Sequence, residues 1–456
     1  MQNIYETTAQ RAIRYLEEIQ ERAVAPTAQA IDELKRFDEP LPEAPTQAAD
    51  VLAMLDDFGS PATMASAGRR FFGLVIGGSL PVSLAANWLA GAWDQNAVFY
   101  RISPVAAALE QVSRKWLVDV LRLPPQTEAA FVTGATMANF TALAAARHKL
   151  LTRAGWNVEA QGLFGAPPLT VVVGEEVHPT LIKALGLLGM GRERVLRVPV
   201  DGQGRMRADS LPALTENTIV CLQAGNVNTG AFDPFTEICT RAHENRAWVH
   251  VDGAFGLWAA AAPHRAHLCE GMQLADSWAT DAHKWLNVPY DSGLAFVRDA
   301  HALRAAMSVS AAYLPTQTEQ RNPADHTPEL SRRGRGVEIW AALRGLGRSG
   351  VIDLIERTCR HAQRFAEGLA ANSYTILNDV VLNQVLVSFG DPQTTNRVIQ
   401  EIQTDGTCWC GGTIWQGHTA MRISVSSWAT TAEDVECCLE RMLALAAKVR
   451  SSQTER

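Results

Sequence analysis

A few residues of this 456-residue chain are of types that do chemistry and stand where a fold could gather them. Lys284 lies in DSWATDAHKWLNVPYDSG, residues 276–293, between His283 and Trp285 and among small and turn residues. Long lysines are usually solvated. One placed like this can lose affinity for its proton through burial or nearby positive charge, and then serves as an amine nucleophile. Asp252 leaves the apolar run AWVHV and is followed by Gly253 and Ala254. A carboxylate there is costly to bury without a cation or strong donor, although a helix cap or a salt bridge would also satisfy it. In FVTGATMAN, Ala135 and Thr136 open a helix, where backbone N–H groups beside a hydroxyl suit an anion such as phosphate. Small residues serve plain strand–helix turns equally well. His178 follows VVVGEEV, where it is either a ligand-facing or a structural histidine.

These residues need elements to hold them. From about residue 129, short apolar runs alternate with helical segments: AAFVTG, then ATMANFTALAAARHKLL; LTVVVGEEVH, then PTLIKALGLLGMG; TIVCLQAG, then FDPFTEICTRAHENR. AWVHVDGAFG, DSWATDAHKW and SGLAFVRD follow. This rhythm predicts a mostly parallel sheet with helices on both faces, and ligands in such sheets bind beyond the carboxyl ends of the strands. The candidate residues all fall at predicted strand ends. The resulting fold class is α/β, with a large domain over residues 76–310 and a helical arm over 1–75 that breaks at the proline-rich DEPLPEAPTQ. A long polar loop and linker covers 311–335, of the kind that forms lids. A small α+β domain covers 336–456, with strands at YTILN, NQVLVSFG and AMRISVS.

Composition narrows the function. A net charge of −7 argues against a nucleic-acid partner, which favours a basic face. The N terminus reads as a charged amphipathic helix rather than a signal peptide, and GLVIGGSLPVSLAANWLAGAW is too interrupted to span a membrane. The eight cysteines match no zinc spacing, so no metal is expected, and they read as reduced thiols of a cytoplasmic protein. No glycine-rich dinucleotide turn or GK[ST] phosphate loop is present.

A phosphate cup, a ring to stack on a cofactor, an acid for a ring nitrogen and a lysine for an imine are together the requirements of pyridoxal 5'-phosphate. From about RRFFGLVIGG to AMRISVSS the chain resembles the group II pyridoxal-phosphate-dependent amino-acid decarboxylases, of the aspartate-aminotransferase fold type (fold type I). GATMANFTALAAAR, NTGAFDP, HVDGAFG, DSWATDAHKWLNVP and SRRGRGVEIWAALRGLG carry the resemblance. It implies that Lys284 forms the imine, with His283 beside it contacting phosphate or substrate. Asp252 pairs with the pyridinium nitrogen, and Ala254 lets the ring sit close. His178 stacks over the ring and meets the substrate carboxylate, and Ala135 and Thr136 hold phosphate. Tyr313, in SAAYLPT, stands where the family's mobile loop carries the tyrosine that returns a proton to carbon.

The same resemblance implies decarboxylation of an L-α-amino acid to its amine in a homodimer with shared sites. Another carbon–carbon lyase or an oxygen-consuming aldehyde synthase on the same fold is the alternative activity. Trp93 and Phe99, in GAWDQNAVFYR, line either the substrate site or a core or dimer interface. Arg422, in MRIS, meets either a carboxylate or a partner within the small domain. The chain departs from the family pattern in three places. Asp281-Ala282 replaces Asn-Pro before His-Lys, GNV with Asn226 replaces GTT and its ring-side threonine, and GRRFF replaces HPxFF. An anionic Asp281 next to a phosphate is unfavourable, so it is expected to face elsewhere or to be paired.

Overall fold

In a computed structural model that describes residues 2–309 and 320–454, the apolar runs form one seven-stranded sheet. Its strands are β1 (Glu128–Val132), β2 (Thr170–Gly174), β3 (Val195–Val198), β4 (Thr218–Gln223), β5 (Trp248–Asp252), β6 (Ser277–Asp281) and β7 (Gly293–Val297). They lie in the order β1-β7-β6-β5-β4-β2-β3. The run from β6 through β5, β4 and β2 to β3 is parallel, and β7 is antiparallel to both β1 and β6. The reversal at β7 has a simple cause. Only residues 282–292 join β6 to β7, too few for the helical crossover that a parallel return requires.

The longer helices, in chain order, are α1 (Gln2–Glu18), α2 (Pro81–Trp93), α3 (Pro104–Val120), α4 (Ala135–Arg153), α5 (Pro179–Leu187), α6 (Phe235–Glu244), α7 (Ala300–Met307), α8 (Gly336–Ala371), α9 (Pro392–Asp405) and α10 (Ala432–Thr454). Gly347, at φ 61°, breaks α8, a conformation that glycine adopts without steric cost.

Residues 77–362 and 378–384 form one compact unit, which holds the large sheet. Residues up to 76, with 363–377 and 385 onward, form the other. The second unit carries a four-stranded sheet, ordered β10 (Gly411–Trp415), β11 (His418–Ser424), β9 (Gln384–Ser388) and β8 (Thr375–Ile376). There the N-terminal segment adds Ile19, Val24, Ala65 and Phe71 to a cluster that Trp409 closes by stacking on Phe71. Two strands escaped the sequence reading. β3 is an edge strand with its two central residues exposed, one of them an arginine, and β10 begins with two glycines. Neither makes an apolar run.

The large core forms where α4 meets the sheet. Ala138, Ala142, Ala145 and Ala146 are fully buried and pack with Val173, Ile219, Ala279 and Ala295. Alanine on that face lets the helix axis come close without a large side chain between. Register then fixes the site. Val132 and Asp281 both pair with Gly293, so the turn into α4 is brought beside the end of β6. A Cβ on Gly293 would lie 2.3 Å from Gly134 Cα, so this approach depends on glycine. Gly293→Ala is expected to destabilise the protein by about 1–3 kcal/mol through backbone overlap, measured by denaturant unfolding. Gly202→Ala is the neutral control, because a Cβ there meets nothing within 4 Å.

Candidate active site

Lys284 sits in the loop that leaves β6, in a tight turn. Its carbonyl accepts from the Asn287 N–H at 3.3 Å and the Asn287 amide at 3.4 Å, and Asn287 Nδ2 also donates to Trp285 O at 2.8 Å. Asn287 adopts φ 56°, a left-handed conformation that asparagine tolerates. Trp285 is anchored through Nε1–H to Thr358 Oγ1 at 2.9 Å. From the other side Gly77 presses on the turn, where a Cβ would come within 1.7 Å of Lys284 O. The lysine backbone is therefore fixed, while its side chain stays 21% exposed.

Asp281 answers the question that the sequence raised. It is 2% exposed and fully engaged. Its Oδ2 lies 3.0 Å from Lys284 Nζ, and its Oδ1 accepts the Ala135 N–H at 2.5 Å and lies 3.4 Å from His283 Nε2. His283 accepts the Ser292 N–H at Nδ1, so its proton is on Nε2, facing Asp281. Burial lowers the pKa of His283 against the opposing pull of Asp281, which leaves the ring neutral.

Asp252 ends β5, buried, and accepts from neutral donors. Oδ2 accepts from Asn139 Nδ2 at 3.1 Å, and Oδ1 from the Ala254 N–H at 3.3 Å. Burial raises its pKa, although His178 and Lys284 oppose the shift. Behind it runs a chain whose direction follows from the carboxylate, which can only accept, so that an Asn139 N–H faces it and Asn139 Oδ1 faces His250. Trp248 Nε1–H can only donate, and it does so to Ser277 Oγ at 2.9 Å. The Ser277 hydroxyl then donates to His250 Nδ1 at 2.9 Å, and His250 Nε2–H to Asn139 Oδ1 at 2.8 Å. Burial holds the His250 pKa down at about 3, so the chain is neutral.

Among the other residues read from sequence, His178 caps α5. Its Nδ1 accepts the Thr180 N–H at 3.3 Å and lies 2.6 Å from Thr180 Oγ1, so Nε2 carries the proton. Ala135 and Thr136 form the first turn of α4, as expected. Half-buried Ala254 accepts the Asp281 N–H at its carbonyl at 2.9 Å. Asn226 is 1% exposed and organises its own turn. Its Oδ1 accepts the Asn228 and Thr229 N–H groups, and its Nδ2 donates to Glu176 Oε2 at 3.0 Å.

Trp93 ends α2 and lines a cavity of about 440 Å³ with Arg332 and Arg333. Half-buried Phe99 follows Asn96–Val98, a stretch bonded to residues 322–333. Arg422 lies on β11 of the second unit, where burial lowers its pKa. Tyr313 lies outside the described residues.

Asn139, His250 and Tyr290 were not read from the sequence. Tyr290 stacks on His283 with ring centroids 4.3 Å apart. His250 carried one available signal, since it lies two residues before Asp252 on the same face of β5.

The residues present fit pyridoxal phosphate. A buried carboxylate held by neutral donors lacks only the cation that a protonated ring nitrogen would bring. A lysine amine and a helix N terminus stand at the same edge of the sheet.

Comparison with known proteins agrees. Residues 32–390 match the pyridoxal-dependent decarboxylase conserved domain. The chain is 28% identical over 301 residues to the bovine (Bos taurus) acidic amino acid decarboxylase GADL1, covering 63% of this chain and 57% of that protein, less than two thirds of its length. It is 24% identical over 405 residues to an aromatic-L-amino-acid decarboxylase of Bacillus atrophaeus, covering 84% and 82%. To the L-2,4-diaminobutyrate decarboxylase of Rhizobium meliloti (strain 1021) it is 29% identical over 359 residues, covering 74% and 68%. Its fold is that of the solved Oryza sativa TDC with PLP and tryptamine, at TM-score 0.90 and 20% identity, covering 98% and 97%. The Rhodiola rosea 4-hydroxyphenylacetaldehyde synthase superposes at TM-score 0.85 with 21% identity, covering 97% of both chains.

The Asp252 environment yields a test on the cofactor-free protein. The folded pKa lies above the ordinary value of 3.8, so ionisation opposes folding at neutral pH and the penalty is relieved as pH falls through the folded pKa. Asp252→Asn is expected to stabilise the cofactor-free protein by about 1–3 kcal/mol near neutral pH, with a smaller gain near about pH 5. Denaturant midpoints at the two pH values measure both.

Proposed function

We propose, since this chain belongs to the pyridoxal-dependent decarboxylase family, that it removes the α-carboxylate of an L-α-amino acid as carbon dioxide and releases the amine. The observation that carries the reading is the meeting of Lys284, Asp252 and the first turn of α4 at one edge of the sheet. Bound pyridoxal phosphate would supply an electron-accepting ring for the pair released when the bond from Cα to the carboxylate breaks.

The protein's own groups then have distinct tasks. Ala135 and Thr136 would hold the phosphate at the N terminus of α4. Asp252 would keep a proton on the ring nitrogen, where the charge pair relieves the cost of burying the carboxylate. The relay through Asn139 and His250 points the carboxylate and adds no competing charge. His178, whose proton sits on Nε2, would offer that N–H to the substrate carboxylate. Lys284 would hold the cofactor covalently through Nζ and release it to incoming substrate. Tyr313 is assigned the return of a proton to Cα on the strength of the family resemblance alone.

A homodimer accompanies this reading. Helix α2 exposes Val82, Trp88, Leu89 and Trp93, an apolar row that a second copy would cover.

Lys284→Ala is expected to abolish the visible absorbance of bound cofactor, and carbon dioxide release with it. Turnover by that variant would overturn the scheme. Tyr313→Phe is expected to bind cofactor but to lose at least about tenfold in amine formation, assayed as amine and carbon dioxide across a panel of amino acids. Unchanged amine output would remove Tyr313 from the mechanism, and a switch to aldehyde would favour the oxygen-consuming alternative. Light scattering is expected to give twice the chain mass, and Trp88→Glu to lower it.

A further inference from the structure

The seat assigned to the cofactor phosphate is already held by a carboxylate of the chain itself. Gly134, which precedes α4, has no side chain to cap the helix. Asp281 supplies the cap from β6 by accepting the Ala135 N–H at 2.5 Å, while its other oxygen holds Lys284 Nζ at 3.0 Å. This carboxylate is largely shielded from water. It is 2% exposed, its N–H is held by Ala254 O at 2.9 Å, and its carbonyl accepts from Trp258 Nε1 at 3.0 Å. Even a Cβ on Gly134 would come within 3.3 Å of Oδ1.

The charged and titratable groups that face Asp281 are few. Lys284 and His283 come from its own loop, as does Tyr290, whose pKa is pushed up to about 12 by burial and by Asp281. Asp252 faces it from β5. The first turn of α4 carries no acidic residue, and β7 contributes Gly293. Asp291, further along the loop, is paired with Arg335. Once Lys284 is committed to the cofactor, its ammonium no longer balances Asp281, and a phosphate on Ala135 would face a buried anion. Two anions in one seat cannot both stay charged without a large penalty, and a shared proton is the usual resolution.

We propose that Asp281 is a positioning residue that gates cofactor loading: its carboxylate caps α4 and holds Lys284 in the cofactor-free protein, and it takes up one proton from solvent when the phosphate enters. The inference rests on the reading that Ala135 and Thr136 hold the phosphate. It makes the affinity for the phosphorylated cofactor fall as pH rises, because binding consumes a proton.

The test compares pyridoxal 5'-phosphate with pyridoxal, which reaches the same lysine without the phosphate, by absorbance titration of the cofactor-free protein. Between about pH 7 and pH 9, the ratio of the two dissociation constants is expected to climb, approaching tenfold per pH unit for one proton, in the wild type. It is expected to stay flat in Asp281→Asn. A flat ratio in the wild type, which needs no variant to fold, would overturn the proposal, as would an equal climb in Asp281→Asn. Borohydride reduction and peptide mapping separate the two levels of inference. Label on Lys284 with a flat ratio removes only the role of Asp281, whereas label elsewhere removes the cofactor site itself.

Discussion

Two buried carboxylates, Asp252 and Asp281, face one lysine at the carboxyl edge of the sheet, and the rest of the site is arranged around that imbalance. Each acid is 5% exposed or less. The ammonium of Lys284 lies against Asp281 and, with His178, draws on Asp252, aided by the partial charge of a helix N terminus. Burial keeps His250 and His283 neutral. A site built in this way is poorly balanced on its own and, on the reading proposed above, would be better balanced with a protonated ring nitrogen beside Asp252. Strain of this kind is a property of functional sites rather than of cores, where buried charges are paired or absent.

The framework that holds the imbalance is made of backbone. Glycines at 77, 134 and 293 let three segments touch main chain to main chain, and Asn287 closes the turn behind Lys284. Side-chain packing alone leaves rotamer freedom. Main-chain contacts fix the lysine and the first turn of α4 relative to the strands that carry the acids. The free motion left to Lys284 is then its own aliphatic stem, which is what an amine that must reach different partners requires.

Much of this was legible in the sequence because parallel strands announce themselves. Largely apolar runs mark β1, β2, β4 and β5, and a reactive side chain one to five residues past the apolar part of a strand sits at the ligand edge by geometry alone. Lys284, Asp252, His178 and the Ala135–Thr136 turn were found in that way. The relay behind Asp252 was not, because its hydrogen-bonded partners lie as much as 113 residues apart and meet only through strand order. The antiparallel turn of β7 was also hidden, although the short β6–β7 connection contained the reason. β3 and β10 lacked the apolar pattern altogether. Asp281 was noticed as a misfit, but its partners come from α4 and the lysine loop, and only three-dimensional register could supply them.

The relay shows why hydrogen-bond direction can matter as much as distance. The Asp252 carboxylate can only accept, so an Asn139 N–H must face it, and each link behind takes one orientation in turn, as far as the indole N–H of Trp248 on Ser277. A reversed Asn139 amide would present its oxygen to the carboxylate, a repulsive contact in a medium where such contacts are costly. The charge of the buried acid thus sets the tautomer of His250, two hydrogen bonds away. Asp281 works by the opposite principle. It is set by several donors of differing strength, two of which, the amine of Lys284 and the first N–H of α4, are the groups that an arriving cofactor would claim. The first acid is held in one state by neutral partners, and the second is held by partners that can be taken from it.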